Sequence, residues 1–152
     1  MSVGPTKAAP MVVVPMTAGH LTRLRLQPAQ AVLAPLVAEP GYGAMLAEAG
    51  PAFAGLCGDR VVGCAGVVRL TAQRGHAWAL LACDAGHSLT AIHRAVVGFL
   101  AHQRMRRIET AVDAEFAAGH RWARMLGFEC EGLMRAYGPD GRDAHLYART
   151  RD

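Results

Sequence analysis

Three kinds of side chain in this sequence could move a proton. Tyr137 and Tyr147 carry hydroxyls able to donate one, Glu109 and Asp113 carry carboxylates able to accept one, and His76, His87, His93 and His120 titrate near neutral pH. Spacing narrows the field. No histidine stands at an interval from a carboxylate or a cysteine that would make a base-and-orienter pair, so each reads as a surface or packing residue. The tyrosines read equally well as half-buried strand residues with satisfied hydroxyls. Glu109 and Asp113 read equally well as solvent-facing carboxylates or as partners of nearby arginines. Cys57, Cys64, Cys83 and Cys130 include no CxxC pair and no histidine at metal-ligand spacing, so small buried thiols in a reducing compartment are expected. No nucleophile elbow, Walker-type phosphate loop or metal-ligand motif occurs.

The elements that must position these groups follow from bulk properties and periodicity. A chain of 152 residues, 52% hydrophobic and 18% charged, fits one globular domain with a full core. No apolar run approaches the roughly 20 residues that span a bilayer. "MVVVPM" lacks the flanks of a signal peptide, so a cytoplasmic protein is expected. The net charge is +4, and 15 of the 16 basic residues are arginine. That charge is too modest and scattered to argue nucleic-acid binding. "RMRR" at 104–107 is the densest cluster and reads as a solvated helix end.

Residues 1–10 form a Pro- and Gly-containing arm without periodicity, leaving 11–152 as the domain. Residues 11–16 read as a Val-rich strand, with Thr17 as the cap of a following helix. The Ala-rich stretch 29–50 reads as helix interrupted by Pro35, Pro40 and glycines. Two strands follow around a Gly58-Asp59 hairpin turn, then a third over "GHAWALLACDAG". A helix capped by Ser88 places Leu89, Ile92, Val96, Phe99 and Leu100 on one face. "RRIETAVD" is a strand, "AEFAAGHRWARMLGF" a helix stopped by Gly127, and two strands flank the turn "GPDGRD". The order β-α-α-β-β-β-α-β-α-β-β predicts an α/β (α+β) fold with a central mixed, largely antiparallel sheet flanked by helices.

That order resembles the GNAT superfamily of N-acetyltransferases. "DRVVGCAGVV" looks like its central hairpin and "LGFECEGLMRAYGPDGRDAHLYAR" like its C-terminal end. "VVVPMTAGHLTRLRLQPAQ", "HAWALL" and "GHRWARMLGFECEGLMRAYGPDG" more narrowly resemble GNAT-like proteins of tailed bacteriophages and prophages, known as internal virion proteins or acetyltransferases. The resemblance implies acetyl-CoA in a cleft where two parallel strands splay, with direct acyl transfer to an amine. It assigns Leu81, Ala82, Cys83, Gly86, His87 and Ser88 to the cofactor; the acid and base candidates, Tyr137 and Glu109, come from their side-chain chemistry and not from the family pattern.

Three parts of the family pattern are altered here: the loop, the acid tyrosine and the asparagine. In "CDAGHSL", Cys83 replaces Arg or Gln, Ser88 replaces a small residue, and Asp84 adds a negative charge where a pyrophosphate should lie, which repels it unless a cation intervenes. Ala123 takes the place of the acid tyrosine, and Phe116 that of an asparagine on the pantetheine arm. Three expectations follow. One is a non-catalytic structural or binding component of a phage particle, held among protein partners that fix the 1–10 arm. Another is an active N-acetyltransferase using acetyl-CoA, in which Tyr137 or a water supplies the acid. The third is a nucleic-acid contact through Arg104, Arg106 and Arg107.

Overall fold

The structure, a computed structural model, describes residues 9–152. The expected 1–10 arm therefore lies almost wholly outside the described residues. Seven strands form one sheet in the order β1-β2-β3-β4-β5-β7-β6. They are β1 (Met11–Pro15), β2 (Ala52–Cys57), β3 (Arg60–Thr71), β4 (Arg74–Leu81), β5 (Arg107–Asp113), β6 (Glu129–Met134) and β7 (Ala144–Thr150). Every neighbouring pair is antiparallel except β4 with β5.

β3 is the centre. Its "VVGCAGV" run is buried residue after residue, as expected of a strand covered on both faces. One face lies under α4 (Leu89–Ala101), whose Ile92, Val96 and Leu100 are buried and whose Phe99 ring sits 5.2 Å from Phe53. The alternate row, including Val62 and Cys64, is equally buried. α1 (Ala18–Thr22) and α3 (Pro40–Ala49) contact β3 and cover that side, with Leu21 fully buried between them. Gly58, with φ +61°, makes the β2–β3 turn in the left-handed region that glycine tolerates best. Gly50 lies against β3 so closely that a Cβ there would stand 1.9 Å from the Val67 carbonyl oxygen.

Several expectations need correction. The region between β1 and β2 is more broken than two helices: a 3-10 segment (Pro28–Leu33) runs into a four-residue α2 (Ala34–Val37) before α3. Pro28, Pro35 and Pro40 each occupy the first or second position of their segment, where a missing N–H costs nothing. Leu89 is 49% exposed and not part of the α4 core face. Cys57 and Cys64 are buried, but Cys83 and Cys130 are exposed. "RMRR" is not a helix end, because α4 stops at Ala101 and Arg107 already begins β5. Among the described residues no helix is long and apolar enough to cross a membrane.

Candidate functional site

β4 and β5 run parallel for only three residue pairs, Arg74–Arg107, Gly75–Ile108 and His76–Glu109. Beyond them the strands part. The Thr110 hydroxyl donates across the opening to the Ala77 carbonyl at 2.8 Å. Such a parting at the carboxyl ends of parallel strands is where open α/β sheets receive ligands, because unpaired backbone groups line it. Here the Ala79 carbonyl and both backbone groups of Leu81 are already paired. The Ala82 N–H donates to Val62 on the β3 side, so the polar groups of Leu81 point toward β5. Gln30 meets them: its Nε2 donates to the Ala79 carbonyl at 2.8 Å, and its Oε1 accepts the Leu81 N–H at 3.0 Å. The Gln27 N–H donates to the Leu81 carbonyl at 2.9 Å, the Cys83 N–H donates to the Arg25 carbonyl at 2.7 Å, and Leu26 bridges Ala82. Residues 25–27, with the Gln30 side chain beyond them, thus lie along the end of β4 in place of a neighbouring strand.

The turn after β4 is tied inward. Ala85–Ser88 is a single 3-10 turn leading into α4. Ser88 is the N-cap residue by position, but its hydroxyl caps nothing. It lies 3.3 Å from the buried Cys57 sulfur. Asp84 has the cation it needs: Arg60, the first residue of β3, pairs with it. That pairing removes the repulsion and also occupies a guanidinium that would otherwise face an incoming phosphate. Cys83, Gly86 and His87 are exposed, with open space above Gly86.

α5 (Ala117–Met125) brings no acid. Ala123 is buried in its core face. The helix ends in a Schellman motif: Phe128 N–H donates to the Ala123 carbonyl, Gly127 N–H donates to the Arg124 carbonyl, and Gly127 takes φ +88°. The Leu-Gly-Phe sequence is therefore helix-terminating hardware. Trp122 Nε1 donates to His93 Nδ1 at 3.0 Å and joins α5 to α4.

The remaining candidates are dispersed and engaged. Tyr147 is fully buried, its hydroxyl 2.8 Å from His120 Nδ1. His120 Nε2 lies 3.1 Å from the Ala114 carbonyl. A carbonyl only accepts, so Nε2 carries a proton, and in the neutral ring Nδ1 accepts from Tyr147. Spacing alone could not reveal this contact, since its partners are 27 residues apart. Tyr137 is not on a strand: it stands in the β6–β7 turn, 52% exposed. Glu109 is buried between two guanidinium groups, with Arg74 Nη2 at 2.7 Å and Arg107 Nε at 2.8 Å. Hydrogen bonding to Arg74 above all, and to Arg107, holds its carboxyl below the ordinary range against the opposing effect of burial. A carboxylate so held is a poor proton acceptor near neutral pH. Burial lowers His76 below its ordinary 6.5, Glu109 opposing and Arg74 adding to the effect. Asp113 caps the next turn by accepting the Glu115 N–H at 2.9 Å. Among the described residues no cluster of metal-ligating side chains forms.

The fold superposes on known structures over nearly the whole chain. The ribosomal-protein-S5-alanine acetyltransferase of Vibrio fischeri superposes with a TM-score of 0.69 at 15% identity, over 97% of this chain and 96% of that one. An N-acetyltransferase from Staphylococcus aureus gives 0.72 at 9% identity, over 93% and 98%. A GNAT-family acetyltransferase from Bacillus anthracis gives 0.65 at 13% identity, over 95% and 96%. This is the GNAT fold. No protein-family model matches the chain, and no curated protein matches it by sequence. At these identities the likeness establishes the GNAT architecture alone. The residues present do not fit acetyl-CoA in the parting of this GNAT sheet. The Ala79 carbonyl and both backbone groups of Leu81, which border the parting, are held by Gln30 and Gln27, and the Arg60 guanidinium beside the following turn is taken by Asp84.

Proposed function

We propose that this chain is a GNAT-fold protein whose cofactor groove is filled by its own residues, and that it acts as a non-catalytic structural or binding component. The most concrete form is a component of a bacteriophage particle, made in the host cytoplasm and held among other virion proteins. The observation that carries the non-catalytic reading is the paired contact of Gln30 with Ala79 and Leu81. The phage setting rests on the sequence likeness of "HAWALL" and "GHRWARMLGFECEGLMRAYGPDG" to phage-encoded GNAT-like proteins.

Calorimetric titration of the purified protein with acetyl-CoA, and with coenzyme A alongside, tests the reading. The expected result is no heat of binding up to millimolar ligand. Micromolar binding would overturn it and install the second reading, an acetyl-CoA-dependent N-acetyltransferase acting on an amine. The preserved parting of β4 and β5 favours that alternative, as do the acetyltransferase activities named for the structural neighbours. In that case Gln30 would have to leave the β4 edge before the cofactor entered.

A further inference from the structure

The sheet end opposite the parting carries a different kind of site. A hollow of about 510 Å³ opens there, lined by Gln73, Ala101, His102, Arg104, Arg106, Arg151 and Asp152. For contrast, the gap beneath α4 near Gly63, Leu81 and Ile92 is about 10 Å³. Arg104 and Arg106 of the "RMRR" run meet Arg151 at this hollow because three chain segments end together: the connector from α4 to β5, the turn into β4 and the exit from β7.

Their backbone frame is fixed. Met105 is buried and would touch any Cβ placed on Gly75, so the residues on either side of it turn outward. Arg107 N–H donates to the Gln73 carbonyl and Arg151 N–H to the Arg106 carbonyl, both at 2.9 Å. The Arg151 guanidinium donates to the Gln103 carbonyl at 2.6 Å, which uses part of its fork and aligns the rest.

Charge completes the site. The neighbouring carboxylates Glu109 and Glu131 are consumed by Arg74 and Arg107. Arg104 and Arg106 have no acidic partner among the described residues, and Asp152 is the one acidic residue lining the hollow. Guanidinium groups on a rigid frame match the oxygens of phosphate, and a hollow of this size exceeds what a single phosphate fills.

We propose that Arg104, Arg106 and Arg151 form a binding site for a phosphate-bearing ligand with two or more phosphates. A free polyphosphate or nucleotide and a nucleic-acid backbone present the same chemistry, and the test separates them. Inorganic tripolyphosphate and a short single-stranded oligonucleotide would each be titrated at low salt into the native protein. The same titrations would use an Arg104→Ala/Arg106→Ala variant and a control, Arg94→Ala/Arg121→Ala, which removes two exposed arginines elsewhere. Micromolar tripolyphosphate binding that falls at least about tenfold in the first variant and stays unchanged in the control supports the site with a free anion as ligand. If only the oligonucleotide binds, with the same variant pattern and a log–log salt slope of about −0.7 per phosphate contacted, the ligand is a nucleic-acid backbone. Absence of binding by both probes, or equal loss in the control, overturns the proposal.

Discussion

Gln30 and Leu81 are joined by a 3.0 Å hydrogen bond in which a side-chain amide takes the role a neighbouring strand plays elsewhere in the sheet. The same amide serves Ala79, so one residue satisfies two backbone groups that the parting of β4 from β5 leaves open. Replacing Gln30 by Ala strands both groups in a partly buried setting, where each unmade bond costs about 1–3 kcal/mol unless water replaces it. A chemical-denaturation midpoint should fall accordingly. An unchanged midpoint would mean that water reaches this edge freely and that the groove is open.

Thiol reactivity should divide the cysteines in two. Cys83 and Cys130 are exposed and should react with an aromatic disulfide reagent in the native protein. Cys64 is buried, and burial pushes its thiol up to about 12, while Cys57 is packed against Ser88. These two should react only on unfolding. Four equivalents taken up at the native rate would contradict the packing of β2 and β3.

Stability should fall on acidification in two ranges. Burial keeps His76 below its ordinary 6.5, so the unfolded chain takes up a proton before the folded one does. The resulting stability is complete above 6.5 and is lost as pH falls toward the folded value. Glu109, held low first by Arg74, adds stability present above the ordinary carboxylate range and lost as pH falls through its folded value. Melting curves across pH should show the upper range vanish in His76→Gln and the lower one shrink in Glu109→Gln, which should also melt lower at pH 7. A Glu109→Gln protein with native acid sensitivity would show that the two arginines add nothing beyond solvent.

Two glycine replacements should move the melting point in opposite directions. Gly50→Ala drives a methyl into the Val67 carbonyl, and overpacking of this kind typically costs about 1–3 kcal/mol, with a rigid backbone target placing it at the upper end. Gly98→Ala lies inside α4 with nothing within 4 Å of the new methyl and should add about 1 kcal/mol through helix propensity. Thermal denaturation of the two variants, read side by side, checks both signs.

The features legible in the sequence are those written in short intervals. Gly58-Asp59 encodes its hairpin, the spacing of Ile92, Val96 and Leu100 encodes the α4 core face, and Gly127 ends α5 where its φ demands. The occupant of the groove was not legible, because Gln30 and Leu81 are 51 residues apart and glutamine carries no periodic signal. Ala123 was legible as a missing hydroxyl, and the structure adds that the position faces the core. For Glu109 pairing with a nearby arginine was legible, and Arg107 two residues away is one partner, but Arg74, 35 residues away, left no local signal. The exposure of Cys83 and Cys130 was not legible for a related reason: composition says how often a thiol is buried, not that Cys83 lies past the end of β4 or that Cys130 lies on the exposed edge strand β6.

The three-rung seam between β4 and β5 has a consequence for how the molecule breathes. On one side lies the meander β1–β4, and on the other β5–β7–β6, each held by long antiparallel ladders. The three backbone pairs, the Thr110–Ala77 bond and the Arg74–Glu109 ion pair join the two at sheet level, helped by Trp122 and His93 where the helices meet. Cooperative opening should therefore start along this line, with amide protons flanking it exchanging through a sub-global event while those of β3 wait for complete unfolding. Residues 25–30 then act as a clasp on the β4 side of that line, and loosening them should quicken exchange at Leu81 and Cys83 before it touches the rest of the meander.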